Sequence, residues 1–245
     1  MQKNFSIPVN NLSVNGVLEN SGGKKIVILV HGFTGDLHGP DNIFEKLSDK
    51  LQQSDYAVIR FSFRGTPPSE GDYIDMTVEE QVVDLSKVVE YARSLGYTDR
   101  ALLGESMGGA IVAKAYDSQV KAVIFWYPAF DFADCSFKDF LTTESQQTLA
   151  EKGYLLSDGF KIGKQFVDEI PKVDLYSKVG EIKCPILFLH GGADTDVPNR
   201  QSERAFQIAH DPKEFHIIEG ADHCFKGEQV EVIDLTAKFI EKFFW

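Results

Sequence analysis

Several things are scarce in this 245-residue chain, and each absence narrows the choice of function. Only three cysteines occur, Cys135, Cys184 and Cys224, and no two stand in a CxxC pair. A sparse, odd set is not a disulfide framework, so a reducing compartment is expected. Positive charge is also short: 25 Lys and Arg stand against 37 Asp and Glu, for a net charge of −12. A chain this acidic repels the phosphate backbone of nucleic acid and the surface of anionic lipid, and no local basic cluster reverses that. No run of apolar residues reaches membrane-spanning length, and "MQKNFSIPVNN" at the start lacks the apolar centre of a secretion signal. The expected compartment is therefore the cytoplasm. Neither a repeat nor a low-complexity tract is present.

What the chain does have is an alternation of strand and helix signals. Six short runs rich in Val, Ile and Phe read as buried strands: 26–31, 56–63, 100–105, 121–127, 185–191 and 214–220. They are continuous rather than alternating in polarity, as a parallel sheet covered on both faces requires. Helical periodicity marks 42–54, 77–95 and 228–244, and Thr77 with Glu80 has the spacing of a capping box. Near the start, two strand-like segments flank Asn10-Asn11, a hairpin signal, and Pro8 suits an edge strand. Residues 129–180 break the alternation. A segment so long and so rich in Phe is expected to be an inserted cap with short helices or a hairpin, not a loop. The expected organisation is one α/β domain over 1–245, carrying a cap over 129–180.

Chemistry concentrates where strands are expected to end. "GESMG" (104–108) places Ser106 between two glycines at a strand-to-helix junction. Such an elbow exposes a nucleophile and turns the amide of the next residue, Met107, toward substrate. A serine needs a base, and His223 in "GADHCF" follows the last expected strand. The base needs an acid to fix its tautomer. Asp194 in "HGGADTDVP" is the first choice, with Asp196 and Asp222 as competitors. "HGFTG" (31–35) supplies a turn whose Phe33 amide can join that of Met107 as an oxyanion hole. His38, His210 and His216 read as structural histidines. The order Ser, Asp, His is that of α/β-hydrolases.

With those motifs in place, together with "VIRFSFRG" and the following "DMT", the chain resembles the α/β-hydrolase superfamily nearly end to end. The resemblance is closest to small bacterial serine esterases of the cinnamoyl and feruloyl type. It implies an α/β-hydrolase fold, with a mostly parallel sheet and helices on both faces. It further implies ester hydrolysis through Ser106, His223 and Asp194, with the backbone amides of Phe33 and Met107 as oxyanion donors. No cofactor and no metal enter that chemistry. The expected partner is a small ester, with neither nucleic acid nor membrane involved, and a homodimer is compatible with it. Two positions depart from the family pattern: Glu105 precedes the nucleophile, and "FRGTPPSEGD" replaces a Gly-His-Gly-Glu-Ser turn. In feruloyl esterases polar cap residues meet the phenol, and Asp139, Tyr154 and Lys161 lie in the corresponding segment. Thioesterase, lipase and peptidase activity on the same fold are the alternatives, followed by a non-catalytic binding module.

Overall fold

The computed structural model describes residues 2–20 and 22–244. Its ten strands are β1 (Gln2–Val9), β2 (Leu12–Glu19), β3 (Lys25–Val30), β4 (Ala57–Ser62), β5 (Asp99–Glu105), β6 (Val120–Trp126), β7 (Tyr154–Ser157), β8 (Phe160–Gly163), β9 (Ile186–Gly191) and β10 (Lys213–Ile218). Eight of them form one sheet in the order β1-β2-β4-β3-β5-β6-β9-β10. The six runs read from the sequence are its parallel part, paired in register from β4 to β10. The N-terminal hairpin adds the two antiparallel strands at one edge, with Asn10 at φ 55° in its turn.

The α-helices among the described residues are α1 (Ile43–Gln52), α2 (Val78–Ser94), α3 (Met107–Ala115), α4 (Thr143–Lys152), α5 (Lys164–Glu169), α6 (Tyr176–Val179), α7 (Arg200–Ile208) and α8 (Gln229–Phe243), with short 3-10 turns between elements. The strands bury both faces because their side chains alternate between two cores. In β3, Ile26, Ile28 and Val30 enter a core covered by α2, α3, α6 and α7. Val27 and Leu29 enter the opposite core, closed by Phe44 and Leu47 of α1 and Val232 and Phe239 of α8.

Only half of the expected capping box forms. The Glu80 amide donates to Thr77 Oγ1 at 3.1 Å, but the Glu80 carboxylate turns away to pair with Arg64. The full positive charge of a guanidinium outcompetes one backbone amide for that carboxylate. Instead, Glu169 of α5 accepts from the Val78 amide at 2.8 Å, so a residue from the inserted segment closes the first turn of α2.

Residues 129–180 leave the sheet after β6 and return before β9. They hold α4, the β7–β8 hairpin, α5 and α6. The hairpin lands on the short 3-10 turn Tyr73–Asp75: the space of a Cβ at Gly163 is taken by the Ile74 carbonyl oxygen, and Gln165 donates to the same oxygen.

The junction between β5 and α3 is packed backbone against backbone. A Cβ at Gly108 would lie 2.4 Å from the Val30 carbonyl oxygen and 2.6 Å from that of His31. Neither atom sits on a flexible side chain, so neither can yield cheaply. Gly108→Ala is accordingly expected to lower unfolding stability by about 1–3 kcal/mol. Urea denaturation measures this, and an unchanged midpoint would show that α3 can lift off β3 without cost.

Candidate active site

Ser106 sits between β5 and α3 at φ 50° and ψ −123°. A non-glycine residue with positive φ is strained and must be held. Here the Ser106 amide donates to the Trp126 carbonyl at 2.9 Å, and the Ser106 carbonyl accepts from the amides of Gly109 and Ala129 at 3.0 Å each. The side chain faces the carboxyl end of the sheet, where the loops after β3, β9 and β10 converge.

His223, in the loop after β10, accepts the Ser106 hydroxyl at Nε2 (3.0 Å) and donates from Nδ1 to Asp194 Oδ2 (2.8 Å). Asp194 is the acid that meets the imidazole. Asp196 stays exposed, donating its own amide to Asp194 Oδ1 at 2.9 Å. The Asp222 carboxylate instead accepts from the amides of Cys224 and Lys226 in a local turn.

The Asp194 side chain is fully buried and surrounded by donors. Oδ1 takes the amides of Asp196 and Val197, and Oδ2 takes His223 and His190 Nε2, the latter at 3.1 Å. Burial alone would favour the protonated acid. The hydrogen bonds from His190 and His223 outweigh it and hold the carboxylate well below its ordinary range. For His223, burial disfavours the charged ring, but Asp194 overcomes this and raises the imidazole above its ordinary 6.5. His190 is fixed in turn by Ser202, whose hydroxyl lies 2.7 Å from Nδ1.

The turn after β3 is clamped at both ends of Gly32. Its amide donates to Glu105 Oε1 at 3.1 Å, and its carbonyl accepts from His31 Nδ1 at 2.8 Å. A trans peptide directs its C=O and its N–H to opposite sides. The Phe33 amide therefore points away from the His31 ring. His31 accepts from the Phe63 amide at Nε2, so its neutral tautomer is set from both sides, and burial lowers it to about 4. The Met107 amide opens α3, where first-turn amides lack intrahelical acceptors.

Above Ser106 lies a cleft of about 470 Å³ walled by Phe33, Phe137, Phe140 and Val197, with Asp139, Asp158 and Asp196 around it. A second lobe of about 330 Å³ runs beside Gly35, Asp36 and Tyr127, and shares Ser106 and His223 with the first. The Phe33 ring packs on Phe137 (4.9 Å) and Phe166 (5.4 Å), both from 129–180. Of the polar cap residues singled out, Asp139 lines the cleft, whereas Lys161 covers the Tyr154 ring at 4.8 Å. Cys135 and Cys224 also line the cleft, but burial pushes both thiols up to about 12. Neither is a thiolate at neutral pH. Among the described residues, no group of three or more His, Cys, Asp or Glu is placed to hold a metal ion, and no helix is long and apolar enough to cross a membrane.

The family model described as serine aminopeptidase, S33, matches residues 22–157, more than half of the chain. The chain belongs to this hydrolase family. Its fold is that of the α/β-hydrolases: the ferulic-acid-bound structure of Est1E from Butyrivibrio proteoclasticus superposes with a TM-score of 0.86 at 22% identity, over 98% of this chain and 99% of that one. Pyrococcus furiosus esterase Pf2001 superposes at 0.77 with 18% identity, over 99% and 93%. The uncharacterized protein YfhR of Escherichia coli K12 is 24% identical over 203 residues, 80% of this chain but only 62% of YfhR. The mitochondrial palmitoyl-protein thioesterase ABHD10 of Bos taurus is 24% identical over 182 residues, 70% of this chain and 58% of its own length.

His190, His31 and Tyr127 carry no motif that marks them as site residues in the sequence alone. The available signal is that both histidines end buried strands, at the edge where ligands bind in open α/β sheets.

Neutral, buried His31 makes a pH-dependent contribution to stability. The unfolded ring takes up a proton below pH 6.5, the folded ring only below about 4. Stability due to this group is therefore full above pH 6.5 and falls as pH drops toward 4, by about 2 kcal/mol between pH 7 and pH 5. Urea titrations at the two pH values should show this loss in the parent and its absence in His31→Asn. Equal losses in both proteins would refute the assignment.

Proposed function

We propose that the protein is a serine carboxylic-ester hydrolase that works through an acyl-enzyme on small or aromatic acyl esters. The observation that carries the reading is the unbroken line from Ser106 Oγ through His223 to the buried Asp194, at 3.0 and 2.8 Å, on the floor of an open cleft. Serine alone is a poor nucleophile, and an imidazole at this distance is placed to take its proton as the new bond forms. Asp194 keeps Nε2 free to accept that proton and stabilises the imidazolium that results. The ester carbonyl oxygen becomes negative in the tetrahedral intermediate, and the amides of Phe33 and Met107 are the donors proposed to receive it. His223 then protonates the leaving alcohol, and water repeats the sequence to free the acid.

Aromatic acyl groups are favoured by the walls of the cleft, since Phe33, Phe137 and Phe140 offer ring faces and edges over Ser106. The bound ferulic acid in the Est1E structure supports the same substrate class. The nucleophile is a serine with its base in place, while the neighbouring thiols remain protonated.

A panel of p-nitrophenyl acetate, p-nitrophenyl butyrate and methyl ferulate tests the proposal. Asp194→Asn is expected to reduce kcat by about three to four orders of magnitude, and Asp196→Asn by less than about tenfold. kcat/KM should fall as His223 is protonated, with an acid limb above pH 6.5 because Asp194 stabilises the cation. No turnover of any of these esters, or a larger loss in Asp196→Asn, contradicts the reading.

A further inference from the structure

Glu105, immediately before the nucleophile, has no place in the chemistry just described, yet it bonds to the turn that carries Phe33 and to the tyrosine that packs on His223. Its side chain ends β5 with only 3% exposure. Oε1 accepts from the Gly32 amide at 3.1 Å. Oε2 accepts from the Tyr127 hydroxyl. The Tyr127 ring in turn lies against the His223 imidazole, with centroids 4.5 Å apart, and against Phe225 at 4.7 Å. Tyr127 is itself fixed through its amide, which donates to the Leu189 carbonyl at 2.7 Å.

A buried carboxyl is costly unless its oxygens find donors, and one serving only as a filler is better replaced by an apolar side chain. Each oxygen of Glu105 has one donor, and those donors come from two different parts of the site. One is the turn that carries the Phe33 amide, the other the ring that backs the base. Because Glu105 is the chain neighbour of Ser106, a single side chain fixes both parts relative to the nucleophile.

From this juxtaposition we infer that Glu105 is a positioning residue of the hydrolytic site, whose carboxyl sets the oxyanion turn through Gly32 and, through the Tyr127 ring, supports the His223 imidazole. The inference rests on the proposed roles of Ser106, His223 and Asp194. It adds to them a second buried carboxyl, at the wall of the lobe that Ser106 and His223 share. No covalent step passes through it. As Ser106 gives up its proton, His223 becomes a cation, and a fixed negative charge nearby stabilises that state without moving.

Other ionisable groups lie around the same imidazole. Asp194 and Asp196 act on it from the loop after β9, while in its own loop Cys224 lines the cleft and the Asp222 carboxylate turns to the Cys224 and Lys226 amides. Tyr127 follows β6, and Asp36 faces Glu105 from the loop after β3. Burial holds the Glu105 carboxyl above its ordinary range, and the bonds from Tyr127 and Gly32 limit that rise. The anion therefore depends on those two donors.

The test is the pH dependence of p-nitrophenyl acetate hydrolysis by the full chain. Glu105→Gln keeps the size of the side chain but removes its charge. The plateau of kcat/KM is expected to fall about tenfold. The acid limb is expected to move to lower pH by roughly half a unit, because a nearby anion no longer favours the imidazolium. A residue with a merely structural role lowers the plateau without moving the limb. Tyr127→Phe removes one of the two donors and leaves the carboxyl harder to ionise, so its limb should move in the same direction by less. This second variant keeps the test open if Glu105→Gln does not fold. Active parent enzyme with an unmoved limb in every folded variant of the two overturns the role of Glu105 alone. A parent that cleaves no ester overturns the hydrolase reading, and this inference with it.

Discussion

The backbone of Ser106, held at φ 50° and ψ −123°, is the constraint on which the rest of the site depends. Beside its three backbone hydrogen bonds, it persists because α3 packs directly on the end of β3, with no side chain at Gly108 to hold the two apart. That contact also brings the elbow beside the turn at Gly32, where a Cβ would lie 2.9 Å from that of Ser106. The turn carrying Phe33 and the serine are thus fixed by one piece of close packing. Burial of apolar side chains on both faces of the sheet supplies the stability against which such local strain is maintained.

Around this elbow the electrostatics are arranged in layers. The His223 side chain, 16% exposed, is the most open ionisable member of the line from Ser106 to Asp194. Behind it Asp194 is stabilised as an anion by two backbone amides and two imidazoles, and His190 behind that is held by Ser202. Charge is therefore present before any substrate arrives and needs little reorganisation during a reaction. The Phe33 ring, seated among Phe137 and Phe166, links the turn that carries the proposed oxyanion donor to the segment that walls the cleft. A change in that segment is consequently felt at the backbone of that turn, not only at the wall of the cleft.

Much of this is readable from residues alone, for a physical reason. The continuous apolar runs of β3, β5 and β6, in which Val, Ile, Leu, Ala and Phe follow one another, suit strands buried on both sides, and "GESMG" has its meaning at the end of such a strand. The close approach of Asp194 rather than Asp196 to His223 also follows from the loop position next to β9. Less legible are interactions made by residues distant in sequence. Nothing around Glu105 announces that Gly32 and Tyr127 supply its two donors, since those residues are 73 and 22 positions away. The Glu80 carboxylate leaves its local amide because Arg64 folds beside it, a partner that local spacing does not reveal. In residues 129–180 the aromatic content signals burial but does not sort the rings. Phe132 and Phe166 are core, while Phe140 borders the cleft, and only the three-dimensional packing makes that distinction.

The central claim is that Ser106 is the one residue activated for nucleophilic attack. Reaction of the intact protein with a fluorophosphonate, followed by mass spectrometry of the peptides, tests it most directly, because the reagent reports activation without requiring the natural ester. The account predicts a single covalent adduct on Ser106, formed in the parent and lost in Ser106→Ala. An adduct on another residue, or none on a folded protein, would contradict it.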